Sequence, residues 1–358
     1  MEKLKICVYA IAKNEEANVE RFVRSAAPAD YIAVLDTGST DKTVELLADM
    51  GVIVCQERIE PWRFDVARNR SMRLIPEDTD ICVCVDLDEE LSPGWREKLE
   101  EAWHPAADMA RFTCVRGNTT FLQGKAHARR GWHWHYPVHE VLVYERECPC
   151  LVEVPAMQTV HHPDNGKSRG QYLPLLELAA KENPDDPRCA HYLGREYFYY
   201  GHWEDAIREF MRHLGTRNAW RAERAATMRY LAECYLGLGD LEKAELWALR
   251  GIGTAPDIRE SWYEAERVYY FKEAWETCAY YGHKAADIKT KSDEYINDGG
   301  AWGGGVEDIL SVAMWHIGCP REAEEWAERA LRLDPGNERV RDNLALLRRE
   351  NGKEAAEL

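Results

Sequence analysis

Ile81-Cys82-Val83-Cys84-Val85-Asp86-Leu87-Asp88-Glu89-Glu90 is the stretch on which the fold turns. Five apolar residues in a row, between Asp80 and Asp86, read as a strand buried on both faces. The strand delivers Asp86 and Asp88 at its carboxyl end, the edge of an open α/β sheet where ligands bind. Alternation along an extended chain would set both carboxylates on one side, with Leu87 turned away. Two such carboxylates suit a divalent cation with oxygen preference, Mg2+ or Mn2+, which can also hold phosphate oxygens. An Asp-x-Asp alone is usually a solvated loop pair. Its place after a buried strand makes it informative.

Working outward, residues 5–10 are strand-like, and residues 14–26 have helical spacing through Val19, Phe22 and Val23. Residues 31–35 form a second apolar run, ending at Asp36-Thr37-Gly38-Ser39-Thr40-Asp41-Lys42-Thr43. An amphipathic helix over 44–50 is stopped by Gly51, and residues 52–55 make a third strand. Strand and helix alternating in this way predict a parallel sheet with crossover helices. Asp36, just past its strand, can accept hydrogen bonds from a base N–H or a ribose hydroxyl. It can equally cap the next helix with Ser39, as can Asp41. Helical spacing puts Phe64, Ala67 and Ser71 on one face and Asp65, Arg68 and Asn69 near another, with Arg68 a candidate phosphate partner.

The chain has 358 residues, which predicts two domains, and a formal charge of -17. That charge argues against general nucleic-acid or anionic-membrane binding. No apolar run approaches the ~20 residues of a membrane span, and residues 6–12 lead into Lys13-Asn14-Glu15-Glu16, a first strand rather than a signal peptide. The eleven cysteines are scattered, and Cys82-x-Cys84 and Cys148-x-Cys150 lack C-x-x-C spacing. They are expected to be small buried hydrophobes in a reducing cytoplasm.

Further on stands Gly131-Trp132-His133-Trp134-His135-Tyr136-Pro137-Val138-His139-Glu140. Val143 occupies the place of the second histidine of H-E-x-x-H, so this is no zinc-protease motif. Aromatic rings suit the apolar faces of a sugar, and His139-Glu140 suits acid/base or metal work. The plainer alternative is a Trp/His-rich strand packed in the core. His161-His162-Pro163-Asp164 follows strands at 151–154 and 159–160, and Lys167, Ser168 and Arg169 could close over phosphates.

Four of these segments together carry a resemblance: residues 8–15, 34–41, 67–69 and 86–89, in that order. They look like the family 2 glycosyltransferases of GT-A fold, over roughly residues 1–165. The resemblance implies a nucleotide-sugar donor, with UDP-sugars favoured. The first-strand loop (Ala12, Asn14, Glu15) would hold the base, with Asp36 on the uracil or ribose side. Asp86 would sit near the ribose and the metal, and Asp88 would ligate Mn2+ or Mg2+ beside the diphosphate. Relatives often complete the metal site with a late histidine, here His161 or His162, His161 being the first choice. They also use an acid near residue 140 as base, which points to Glu140, with His139 a substrate or metal partner. The departure is Thr37, where many relatives carry a second acid.

From residue 171 onward strand signals stop, and helices follow one another with short turns. Tyr192-Leu193-Gly194-x-x-Tyr197 with Gly201, Ala206 and Phe210 resembles the tetratricopeptide (TPR) template. So does Tyr230-Leu231-Ala232-x-x-Tyr235 with Gly239, Ala244 and Ala248, and Leu310, Gly318, Ala323, Ala327 and Ala330 make a final unit. Trp262-x-x-Ala265 fits more loosely. Trp203, Trp220, Trp247, Trp262 and Trp275 are expected in the repeat core, and residues 295–305 as a flexible cover or spacer. The organisation expected is an α/β GT-A (Rossmann-like) domain over 1–165, a junction helix over 166–185 and an all-α TPR solenoid over 186–358. The function expected is metal-dependent, inverting transfer of a sugar to a peptide, protein or glycan acceptor, the repeats binding that acceptor or forming a homodimer. The alternatives are sugar nucleotidyl transfer, or a TPR adaptor with a degenerate transferase domain.

Overall fold

The computed structural model describes residues 3–117, 119–163, 170–291 and 296–357. The chain divides into two compact units, the first ending at Ala179 and the second beginning at Ala180.

The first unit opens as the alternation predicts: β1 (Ile6–Ala12), α1 (Glu16–Ala26), β2 (Tyr31–Asp36), α2 (Thr43–Asp49) and β3 (Ile53–Gln56). After α3 (Phe64–Ser71) comes β4 (Ile81–Cys84), and β1 lies between β2 and β4 with all contacts parallel. Then follow β5 (Glu89–Leu91), α4 (Trp95–Ala102), β6 (Met109–Arg116), β7 (Thr119–Ala128), β8 (Trp132–His135), β9 (Val141–Tyr144) and β10 (Leu151–His161). The sheet runs β3-β2-β1-β4-β7-β6-β10-β5, and β8 and β9 form a separate two-stranded ribbon. The sheet is parallel from β3 to β4. It turns mixed where β7 runs antiparallel between β4 and β6. The two short strands expected over 151–160 are one strand, with a register shift between Val154 and Gln158.

Period-two burial gives β1 two cores. Ile6, Val8 and Ala10 join Phe22, Trp95 and Leu99 on one face, while Cys7 and Tyr9 join Cys82, Cys84, Trp132 and Trp134 on the other. Burying each of these large side chains contributes about 1.5–3 kcal/mol. The second core fixes the β8–β9 ribbon over the sheet: Trp134 donates its indole N–H to the Tyr9 hydroxyl at 3.0 Å.

The second unit is a succession of helix pairs beginning in α5 (Tyr172–Glu182), which spans the point of division. α6 (Pro187–Tyr199) pairs with α7 (Trp203–Gly215), α8 (Arg221–Gly237) with α9 (Leu241–Thr254), and α10 (Arg259–Phe271) with α11 (Trp275–Asp287). After the short α12 (Gly299–Trp302), α13 (Gly305–His316) pairs with α14 (Pro320–Leu333), and α15 (Glu338–Glu357) follows. Gly194 lets α6 and α7 approach, since a Cβ there would fall 2.7 Å from the Phe210 ring. The turns after α6, α8 and α13 each place a glycine at positive φ (Gly201, Gly239, Gly318), and the loosely fitting repeat forces Glu273 into the same conformation.

Three expectations change here. Trp220 is 44% exposed, while Trp247 is buried. Cys55, Cys148 and Cys150 are exposed; Cys82 and Cys84 are buried as expected. The stretch at 296–305 is neither a loose cover nor a spacer. Arg229 donates to the Asp298 carboxylate (3.2 Å) and the Ile296 carbonyl (3.0 Å), Trp302 donates to Glu260 (2.8 Å), and Ala301 is fully buried. Among the described residues, no helix is long and apolar enough to cross a membrane.

Glu266 on α10 is fully buried, and neither carboxyl oxygen meets a hydrogen-bond partner among the described residues. Burial, reinforced by the nearby Glu307, pushes its carboxyl well above the usual range. A carboxyl raised in the folded state stabilises fully below its unfolded pKa, and that contribution is lost as pH rises toward the folded value. Glu266→Gln keeps the shape without the ionisation. Its melting temperature should therefore gain on the wild type from pH 5 to pH 8; parallel curves contradict the assignment.

Candidate active site

The loops that follow β1 and β2 are knitted together. Asn14, at φ 55°, donates its backbone N–H to Ser39 Oγ (2.7 Å) and accepts from the Thr40 N–H (2.8 Å). Glu15 donates its N–H to Thr43 Oγ1 (2.7 Å), and the Ala12 carbonyl accepts from the Thr37 N–H (2.8 Å). Asp36 is 0% exposed, with Oδ1 accepting from the Gly38 and Ser39 N–H groups and Oδ2 from the Ser39 hydroxyl. It therefore shapes its own turn, while Asn14 and the partly exposed Ser39 present themselves outward. Asp41, not Asp36, accepts from the Thr43 N–H at the start of α2.

Asp86 and Asp88 come after β4, but strand alternation does not place them. The chain turns there, with the Glu89 N–H donating to the Asp86 carbonyl at 2.9 Å and Leu87 buried. Asp86 Oδ1 accepts from Arg68 Nη2 (2.8 Å), and Oδ2 lies 3.3 Å from Lys125 Nζ. Burial alone would raise the Asp86 carboxyl; Arg68 and Lys125 outweigh it and hold the group far below the usual carboxylate range. Asp88 moves the other way, raised by its own burial and by the Asp86 charge, with His161 opposing.

Arg68 is the pivot. Only 6% exposed, its guanidinium donates to Asp86, donates through Nε to Glu140, reaches Cys84 Sγ (3.2 Å) and lies over the Trp134 ring (5.0 Å). The next residue on α3, Asn69, makes two 2.8 Å hydrogen bonds to the Trp134 backbone and so aligns α3 with β8. One guanidinium thus holds Asp86 and Glu140 on its two sides. Removing one partner of such a buried pair leaves an uncompensated charge.

Three site residues were not singled out from the sequence. Lys125, 5% exposed on β7, donates to Asp86 and to Glu89 (3.1 Å), and Arg116 lies 3.4 Å from Glu89. Glu89 stood within the opening motif. Lys125 had only a weak signal, a single lysine within a strand of mixed composition.

β10 brings the two histidines to different acids: His161 Nε2 lies 3.3 Å from Asp88 Oδ2, and His162 Nε2 lies 2.9 Å from Glu90 Oε2. Asp88 and His161 thus offer one oxygen and one nitrogen side by side, whereas Asp86 has both oxygens committed to cations. Among the described residues no three His, Cys, Asp or Glu side chains form a ready metal cage. A two-donor site still fits Mg2+ or Mn2+, which take one or two carboxylates and fill the rest with water and substrate phosphates. His139, at φ 51°, stands beside Tyr172 (ring centroids 5.8 Å). Lys167 and Arg169 lie outside the described residues.

Residues 7–160 match the sequence model of glycosyl transferase family 2. The match to the family 2 glycosyltransferases thus takes in most of the N-terminal unit. Over 97 residues the chain is 35% identical to an uncharacterized glycosyltransferase of Rickettsia bellii (strain RML369-C), taking in 27% of this chain and 32% of that protein. An uncharacterized glycosyltransferase of Rickettsia typhi is 32% identical over the same shares. The chain thus spans about a third of the length of the curated relatives it matches. Among solved structures it is similar to the APC/C hetero-tetramer Cut9–Hcn1, at 14% identity and TM-score 0.43, covering 51% of this chain and 33% of that one. It is also similar to MamA, at 16% identity and TM-score 0.39, covering 48% and 96%, and to a thermophilic TPR protein of Thermus thermophilus, at 19% and 0.38, covering 50% and 91%.

In the N-terminal unit the acids differ in their partners. Lys125 and Arg68 keep Asp86 ionised as a hydrogen-bond acceptor, whereas Asp88 and His161 face each other.

Proposed function

We propose that the chain is a glycosyltransferase that transfers a sugar, with inversion, from a nucleotide-sugar donor to a peptide, protein or glycan acceptor. UDP-sugars are the favoured donors and Mn2+ or Mg2+ the cofactor. The observation that carries this reading is the single Arg68 guanidinium joining Asp86, the acid at the sheet edge, to Glu140. It holds two carboxylates around one buried cation, and the reading assigns Asp86 to the donor side and Glu140 to the acceptor side.

Asn14 and Ser39 bind the base end of the donor, and Asp86 accepts from the ribose. Asp88 and His161 hold the cation, which when bound supplies Lewis-acid stabilisation of the leaving diphosphate. Glu140 takes the proton of the acceptor nucleophile. The helix pairs of the second unit bind the acceptor or join two copies of the chain.

Asp88→Ala tests the donor half. Asp88 lies in a turn outside the core, so its loss opens no cavity. Calorimetric titration of UDP with MnCl2 should show at least tenfold weaker binding in the variant and no difference without metal. Equal affinities in the presence of Mn2+ sink the metal assignment.

A further inference from the structure

Two loops of the first unit meet beside Glu140. The Phe64 N–H donates to the Pro137 carbonyl at 2.9 Å, which pins residues 60–64 to the turn at 136–140. On these loops and at the start of α5, four rings make a continuous run: Trp62–Phe64 at 5.0 Å, Phe64–Tyr172 at 6.2 Å and His139–Tyr172 at 5.8 Å between centroids. Their planes are inclined by 73°, 67° and 58°, so they form angled walls rather than one flat strip. All four side chains are partly exposed. The core-facing rings of the neighbouring ribbon, Trp132 and Trp134, are by contrast buried.

Two independent features mark the same place. Tyr136 (φ 79°) and His139 (φ 51°) are two of the four non-glycine residues at positive φ among the described residues, and they share one turn. Such backbone is strained and persists where the surroundings over-determine it, most often at functional sites. The Trp62 indole N–H is buried with no hydrogen-bond partner among the described residues. An unmet buried donor is costly until something accepts from it.

We propose that Trp62, Phe64, His139 and Tyr172 form a pyranose-binding subsite that holds a carbohydrate acceptor against Glu140; its acceptor role rests on the glycosyltransferase reading above. A pyranose has apolar C–H faces and a rim of hydroxyls. The faces lie on the electron-rich rings, and the rim supplies an acceptor to the Trp62 N–H and a proton to Glu140. An apolar peptide side chain would use the rings and leave the indole N–H unmet.

The test uses the full-length chain and a panel of methyl α- and β-hexopyranosides, including the N-acetylglucosaminides, by saturation-transfer NMR and calorimetry. At least one is expected to bind, with saturation strongest on its ring C–H protons. Trp62→Ala should weaken that binding at least tenfold, and Trp62→Phe, which keeps a ring but has no N–H to donate, should restore only part of it. If Trp62→Ala does not fold, Phe64→Leu removes a ring from the same wall while filling its volume, and should weaken binding likewise. Absence of binding by every pyranoside, or equal affinity in the variants, overturns the subsite. UDP titration of the same wild-type sample keeps the two ideas apart. Failure to bind UDP counts against the donor reading, whereas Trp62-dependent pyranoside binding stands on its own.

Discussion

Replacing Arg68 by methionine is expected to destabilise the first unit by about 3–5 kcal/mol and to end transfer. Methionine fills much of the volume, so the loss is electrostatic. Asp86 and Glu140 would each keep a largely buried charge without the cation that sits between them. Lys125 still reaches Asp86, but no other cation is seen at Glu140 among the described residues. At roughly 2–4 °C per kcal/mol for a domain of this size, the melting temperature should fall by on the order of 10 °C. Arg68→Lys restores the charge without the planar fork, so it should recover part of the stability and little of the activity. A methionine variant melting within about 2 °C of the wild type contradicts the pivot role.

Glu140→Gln is expected to slow transfer by ~10²–10⁴ while leaving UDP affinity nearly unchanged. Glutamine keeps an oxygen to accept the Arg68 Nε–H, so the pivot stays seated. It cannot take a proton from the acceptor. Single-turnover rates at saturating donor and metal separate the two roles. A ratio near one would mean that Glu140 serves only as the counter-ion of Arg68, and that the base lies elsewhere.

The parallel half of the sheet was readable because its strands are continuous apolar runs separated by amphipathic helices. The mixed half was not. β6 and β7 carry charges and threonines within their runs, and their pairing is long-range, which local periodicity does not record. The same limit hid Lys125, since a lysine in a strand ordinarily points to water, and only the sheet order turns it toward Asp86 and Glu89. Asp86 and Asp88 were legible as a pair, yet their placement by a turn depended on the Glu89–Asp86 hydrogen bond. Asp36 shows the converse. Its type and position suit a base contact, but the adjacent Ser39 and Gly38 supply closer partners. In the second unit, spacing alone marked the helix pairs. The burial of Ala301, within a stretch tied down by Arg229 and Glu260, could not be seen in a glycine-rich sequence.

The most direct test of the account is release of nucleoside diphosphate from a panel of nucleotide sugars. The full-length chain would be incubated with each donor in MnCl2, and again with excess EDTA. Release is expected from at least one donor, a UDP-sugar first, and is expected to be lost in EDTA and in Asp88→Ala. No release from any donor, while the same sample is folded, would contradict it; release undiminished by EDTA would contradict its metal dependence.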